Sequence, residues 1–357
     1  MSDAKREIEE LRQEIAKLDA SLLVSLEKRA RASKKIGDLR KDNAPSLPLT
    51  DRAALAAIVA RATGDMPPDA LREIFREVFA ACLSLELPVP VVFLGPEGGA
   101  GHAAARERFG AGAKFISQES AALAFEELTT HRAVFAVVPI ETRAEGPVQA
   151  TITSLTPSDL KIVSVFDTSS NLQLFSRTGN IADIEKVYAT PVDRANCQRF
   201  FAQTMPKASV LDVKTPLVAC QLAFEDHGAA AIATEAFGAQ LGLEIARRNV
   251  KDGGDEKVRY AVVGTRPSSR TGNDLTALVF AVQDAPGSLL DVLKQFAERG
   301  INLTKIQSRP APGEAWAYIF YVEVIGHATD RALVTATEEI RRQTKFFKVL
   351  GSYPAVG

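Results

Sequence analysis

The chain has 357 residues, with 43 basic and 44 acidic side chains and a net charge of −1. That balance excludes a general polyanion binder and leaves room only for local basic sites. Hydrophobic residues make up 46% and charged residues 24%, a globular mix that excludes disorder over most of the length. At ~150 residues per domain, two or three domains are expected. The opening MSDAKREIEELRQEI has no apolar core behind a basic start, so no signal peptide is read there. No stretch approaches ~20 uninterrupted apolar residues, so no membrane span is expected. Cys82, Cys197 and Cys220, and His102, His131, His227 and His327, are scattered without metal or disulfide spacing. A cytoplasmic protein with no metal and no cofactor is the reading.

Residues 1 to 88 read as helix. Ile8, Leu11, Ile15, Leu18 and Leu22 recur at steps of three and four, a coiled-coil-like stripe. The first helix is predicted to run to about Lys41, and two more are predicted near 50–63 and 68–86, the last opening with Pro and Asp69. From Pro90 the character changes. Val91–Leu94 is a short apolar strand, followed by a glycine-rich turn and a helix. Strand-like runs recur at 133–140, 161–167, 171–176, 186–190, 229–234 and 258–264, with helical patterns between them, which predicts an α/β sheet domain. From about 275 the order strand, helix, strand, strand, helix, strand predicts a ferredoxin-like βαββαβ domain, with Gly300 closing its first helix.

The first helix carries a chemical signal. Between Lys28 and Lys41 there are seven basic residues and one acid, Asp38. Arg29 and Arg40 are 11 residues apart, which at ~100° per residue sets them on nearly the same face. Arg12 lies 17 residues before Arg29, about 25 Å along the axis. Those two cannot meet within one helix, but an antiparallel or intertwined dimer brings Arg12 of one chain to Arg29 of another. Such a pocket favours a small di-anion, because guanidinium forks match carboxylates. The glycine-rich turn at 95–101 lacks the spacing of a phosphate cradle.

The run ELRQEIAKLDASLLVSLEKRARASKKIGDLRK resembles the all-helical chorismate mutase family. FLGPEGGAGHAAARERFG (93–110), VPIETRAEG (138–146) and VYATPVDRANC (187–197) resemble successive motifs of prephenate dehydratase. DAPGSLLDVLKQFAERGINLTKIQSRP and FFKVLGSYP resemble its regulatory ACT domain. Order and spacing match the fused chorismate mutase–prephenate dehydratase family across nearly the whole chain. The resemblance implies an α + α/β + α+β multidomain protein. A helical mutase domain would span 1–88, a two-lobed α/β dehydratase-like domain 91–266, and an ACT domain 275–357. It implies conversion of chorismate to prephenate and of prephenate to phenylpyruvate, with phenylalanine as effector, in a homodimer or larger homo-oligomer.

The same resemblance assigns residues. Arg12 and Arg29 match the carboxylate clamps, Arg40 faces the ether oxygen, Arg52 belongs to an Asp-Arg-Glu triplet, and Glu86 stands where a donor to the ether oxygen is usual. In the dehydratase, Thr142, Asn196 and Arg259 match cleft positions. In the ACT domain, Gly287, Ser288 and Leu289, then Asn302 and Leu303, then Gln307, Ser308, Arg309 and Pro310 match the effector-binding turns. The sequence also departs from the pattern. Ala53 replaces the triplet's glutamate. Val258-Arg259-Tyr260 stands for Thr-Arg-Phe, whose threonine assists departure of the ring hydroxyl. Thr190 replaces a histidine. These replacements keep a second reading open: a divergent paralogue that regulates or binds, or that decarboxylates prephenate without expelling the hydroxyl.

Overall fold

The computed structural model describes residues 3–39, 52–86, 89–110, 112–143, 146–169, 171–238, 241–254, 257–310 and 318–355. They fall into two compact units, one drawn from Met1–Val89 with Arg106–Lys114, the other from Pro90–Ala105 with Phe115–Gly357.

The first unit is helical. α1 (Asp3–Leu39) is followed by α2 (Arg52–Val59) and α3 (Pro68–Glu86). The three helices fall where hydrophobic periodicity predicts them, α1 being about 55 Å long. The C-terminal part of α1 packs on α3. At Gly37 the backbones approach so closely that a Cβ would sit 2.3 Å from the Glu86 carbonyl oxygen. The other end of α1 has no such support. Ile8, Leu11, Ile15, Leu18 and Leu22 are 51–62% exposed, an apolar stripe without a partner among the described residues.

The second unit holds three sheets. In its first lobe, β1 (Pro90–Leu94), α4 (Ala100–Phe109), β2 (Lys114–Gln118), α5 (Ala121–Thr129), β3 (Phe135–Thr142), β4 (Gly146–Pro147), α6 (Gln149–Leu155) and β5 (Lys161–Ser169) follow in order. The chain then crosses into a second lobe. There β6 (Gln173–Ser176), β7 (Lys186–Ala189), α7 (Pro191–Asn196), α8 (Gln198–Thr204), β8 (Ser209–Asp212), α9 (Pro216–Glu225), β9 (Ala229–Ala233), α10 (Glu235–Gly238) and β10 (Glu244–Arg247) form a sheet ordered β10-β6-β9-β7-β8. It returns as β11 (Lys257–Gly264), which inserts antiparallel between β3 and β5. The first-lobe sheet runs β2-β1-β3-β11-β5, with β4 on β3.

β12 (Asp274–Ala281), α11 (Ser288–Ala297), β13 (Leu303–Pro310), β14 (Tyr318–Ile325), α12 (Arg331–Gln343) and β15 (Phe346–Pro354) make the predicted βαββαβ domain, its antiparallel sheet ordered β13-β14-β12-β15. One face of that sheet packs on α11 and α12 through Leu278, Phe280, Val292, Phe296 and Leu333. The other face joins the first lobe in one apolar core, where Val279, Tyr321, Leu350 and Tyr353 meet Ile162, Val165 and Ala261. Lys348 pins this junction by donating to the Leu155 and Thr156 carbonyls, both at 2.8 Å, at the C-terminal end of α6. Burial, and then the charge of Lys161, push Lys348 down to about 8.

Asp274, only 3% exposed, opens β12 and accepts from the Thr271 and Gly272 amides at 2.9 and 3.0 Å. Burial works to raise its pKa, but these donors and the Thr271 hydroxyl bring it below the ordinary carboxylate value. A carboxyl depressed by folding stabilises above its unfolded pKa, and that contribution is lost as pH falls through the folded value. Asp274→Asn is therefore expected to cost about 1–2 kcal/mol at neutral pH. The gap between the two proteins in thermal melts should close on acidification; a gap independent of pH would contradict this.

Candidate active sites

The helical unit places its cationic residues unequally. Arg29 is half-buried where α1 meets α3. Its Nη1 donates to the Val78 carbonyl at 3.3 Å, and its guanidinium lies 4.7 Å from the centroid of the Phe79 ring. One donor is thus used to orient a group that carries five. Arg12 is exposed, within 3.9 Å of Glu9 on the same helix. A single chain does not bring Arg12 and Arg29 together. Glu86 ends α3, half-buried. Arg52 opens α2, with Ala53 next to it. Arg40 lies outside the described residues.

The second candidate site lies between the two lobes of the α/β domain. The glycine-rich turn after β1 sits against the start of α9: at Gly98, with φ +83, a Cβ would meet the Leu217 amide nitrogen at 2.8 Å. The Gly98 amide donates to His102 Nδ1 at 3.1 Å. The His102 ring stacks on Phe93, centroids 4.5 Å apart and planes 9° apart, and lies 4.7 Å from Phe237 of the second lobe. With Nδ1 accepting, a neutral His102 carries its proton on Nε2.

Strand register identifies the residues that share the Phe93 face. Phe93 pairs with Val137, Val137 with Val262, and Val262 with Ser164. On the same face, further along, Tyr260 pairs with Phe166, and Val258 pairs with Thr142 on one side and Thr168 on the other. Directly opposed antiparallel residues project to one face with Cβ atoms ~5 Å apart. Two hydroxyls therefore flank the valine that stands where the resembling family has threonine. From the second lobe, Thr190 caps α7, accepting from the Asp193 amide at 3.1 Å and donating to Asp193 Oδ2 at 2.7 Å. Burial raises the Asp193 pKa, with Thr190 and Lys251 opposing. Asn196 ends α7, its carbonyl accepting from the Asp252 amide at 2.7 Å. Thr234, 8% exposed at the end of β9, buries a hydroxyl with no partner among the described residues.

Arg259 projects to the other face. There its Nη1 lies 3.0 Å from both carboxylate oxygens of Glu323, on the βαββαβ domain. The sequence pattern groups it with Thr142 and Asn196; the structure separates it from the Phe93 face.

The expected effector residues also divide. Gly287 caps α11 in the left-handed region at φ 87, with Ser288 and Leu289 beginning the helix on the α11/α12 side. Asn302 is exposed, its carbonyl accepting from Ile325. Leu303 opens β13 and Pro310 ends it. Ser308 pairs with Phe320, which packs on the helix side, whereas Gln307 and Arg309 pair with Tyr321 and Ile319, which pack on the first lobe. Arg309, 7% exposed, donates to Gln149 of α6 at 3.2 Å. Gln307 Oε1 is buried without a partner among the described residues.

Three family models match the chain in sequence order: chorismate mutase type II over residues 11–87, prephenate dehydratase over 91–268, and ACT domain over 276–342. A bifunctional chorismate mutase/prephenate dehydratase of Aquifex aeolicus is 38% identical over 98% of both chains. The chain belongs to the bifunctional chorismate mutase/prephenate dehydratase family. A relative of the same description from Neisseria gonorrhoeae is 30% identical over 96% of both. Among solved structures, a prephenate dehydratase from Arthrobacter aurescens in complex with L-Phe is similar with TM-score 0.61 and 30% identity, covering 75% of this chain and 90% of that one.

Within this bifunctional family architecture, the sequence pattern alone does not single out Thr168, Asp193, Thr234 or Glu323 as candidates. Thr168 becomes visible only through register with Val258. Glu323 did carry a signal: it is the one charged residue in the apolar strand YIFYVEVI.

Proposed function

We propose that the protein converts chorismate to prephenate in its helical domain and prephenate to phenylpyruvate between the lobes of its α/β domain, with phenylalanine as the effector read by the ACT domain. The observation that carries this reading is the run of three family matches, in order, together with a bifunctional relative aligned over 98% of both chains.

The mutase step is a rearrangement needing no covalent help. Its barrier falls when both carboxylates are clamped and charge on the breaking ether oxygen is stabilised. Arg29 serves as one clamp, and Arg12 from a second copy as the other, with Arg40, Arg52 and Glu86 completing the pocket. The exposed Ile8–Leu22 stripe on the segment that bears Arg12 supports a homodimer. In the dehydratase step the ring hydroxyl leaves as water after gaining a proton, and the carboxyl leaves as CO2 with its electrons filling the ring. Val258 offers no hydrogen bond to that hydroxyl; Thr142, beside it on the cleft face, is assigned that task, and Asn196 holds a substrate carboxylate. Gly287, Ser288, Leu289, Asn302 and Leu303, with Gln307, Ser308, Arg309 and Pro310, are assigned to the effector. The unpartnered Gln307 oxygen suits an ammonium donor. We place the protein in the cytoplasm, in keeping with three free, buried cysteines. No described helix is long and apolar enough to cross a membrane.

Supplying prephenate directly tests the dehydratase half. Phenylpyruvate should form above the spontaneous rate, and phenylalanine should slow it. Prephenate decaying only at the spontaneous rate would contradict the assignment.

A further inference from the structure

The junction between the ACT sheet and the first lobe buries a set of charges that the proposed chemistry does not use. From β11, β3 and β5 come Arg259, Glu141 and Asp167, which register places side by side. From β14 and β13 come Glu323 and Lys305, also register partners. Arg259 Nη1 lies 3.0 Å from Glu323 and 3.6 Å from Glu141, and its Nε lies 4.0 Å from Asp167. Lys305 pairs with Glu141, and the Tyr321 hydroxyl donates to Glu323 at 2.6 Å. The Glu323 side chain is only 3% exposed and that of Arg259 18%. A carboxylate this buried persists only if its partners are held in place.

We infer that Glu323, although it belongs to the ACT domain, is a positioning residue for the dehydratase: by holding Arg259 it fixes β11 at Val258, the centre of the cleft-facing row Thr142–Val258–Thr168. Arg259 and Val258 are consecutive, so they project to opposite faces of one strand, and a shift of one carries the other. The strand is irregular at this point. A register shift against β3 falls between Arg259 and Tyr260, where the sheet ladder alone fixes the backbone less firmly. The ACT face that holds Arg259 is also the face of Gln307 and Arg309. Burial opposes the charge on Arg259, but Glu323 and the neighbouring tyrosines outweigh it and raise its pKa. The guanidinium therefore stays charged throughout the working range. An effector that moves β13 against β14 then has a direct mechanical path to the cleft, through one ion pair.

The inference rests on the dehydratase reading, and its test separates the two. Glu323→Gln in the full-length protein keeps size and removes the charge. It is expected to lower kcat on prephenate about ten-fold or more, since small displacements at a reacting centre are costly, while KM changes less than about three-fold. Turnover of chorismate in the helical domain should stay within about two-fold, and a cooperative melt with a wild-type circular-dichroism spectrum certifies that the second unit is folded. Amides of β11 should exchange faster with deuterium than in the wild type. Glu323→Asp, which keeps the charge one methylene short, should recover part of kcat even where stability does not improve. That split is not expected of a purely structural contact. A folded Glu323→Gln with wild-type kcat and unchanged exchange on β11 overturns the inference. If the wild type forms no phenylpyruvate, the dehydratase reading fails. The exchange of β11 then decides its structural half by itself: faster in Glu323→Gln supports the hold of Glu323 on β11, unchanged overturns it.

Discussion

Arg29→Ala is expected to lower chorismate turnover by about a hundred- to a thousand-fold, the usual cost of removing one preorganised charge from a transition state. Conversion of supplied prephenate by the same protein should stay within about two-fold. The guanidinium is oriented by the Val78 carbonyl and the Phe79 ring, so as the proposed clamp it would lose little entropy on meeting a carboxylate. Alanine removes the clamp and also leaves the face of Phe79 uncovered, which costs about 0.5–1 kcal/mol of packing. Arg29→Lys keeps a charge but lacks the planar fork, and should recover only part of the rate. Steady-state kinetics on chorismate and prephenate with one preparation make the comparison. Unchanged chorismate turnover in Arg29→Ala would remove this arginine from the pocket.

Gly351→Ala is expected to damage the second unit severely. A Cβ there would lie 2.0 Å from the Ile162 carbonyl oxygen and 2.7 Å from its nitrogen, both backbone atoms of β5. Neither can move without disturbing the ladder between β5 and β11. Overpacking of this kind costs about 3 kcal/mol, the upper end of its usual range. At roughly 2–4 °C per kcal/mol for a domain of this size, the unfolding transition should fall by about 6–12 °C. Dehydratase activity should be lost at lower temperature than mutase activity, because the clash lies wholly outside the helical unit. A melting temperature within about 2 °C of wild type would mean that β15 does not lie so close to β5.

Much of this architecture was legible before the fold, and the illegible parts share a cause. β3, β9 and β11 are interior strands and β5, at the end of its sheet, is buried along most of its length; all four announce themselves as apolar runs. β2, β8 and β10 were not predicted. Each lies at the edge of its sheet, half in solvent, with sequences KFISQ, SVLD and EIAR that carry no apolar run. The insertion of β11 between β3 and β5 was also hidden, because sequence order does not reveal a strand that leaves for another lobe and returns. Site residues followed the same logic. Arg29 falls, as its place on the helix face implies, where α1 meets α3. Arg259 was legible as a surviving motif residue, but period-two alternation sends it away from Val258, and only the packing of the ACT sheet shows what it meets. Gln307, Ser308, Arg309 and Pro310 read as one motif along β13, yet the strand turns Gln307 and Arg309 toward the first lobe and Ser308 toward the helices.

The replaced cleft residues make the product the most direct test of the account. Purified protein should be incubated with chorismate while chorismate, prephenate, phenylpyruvate and any new acid are followed by liquid chromatography with mass detection. Chorismate should be consumed, prephenate should appear transiently, and phenylpyruvate should accumulate faster than prephenate decays spontaneously. Prephenate accumulating with no enzymatic phenylpyruvate, or a decarboxylated acid that keeps the hydroxyl, would contradict the account.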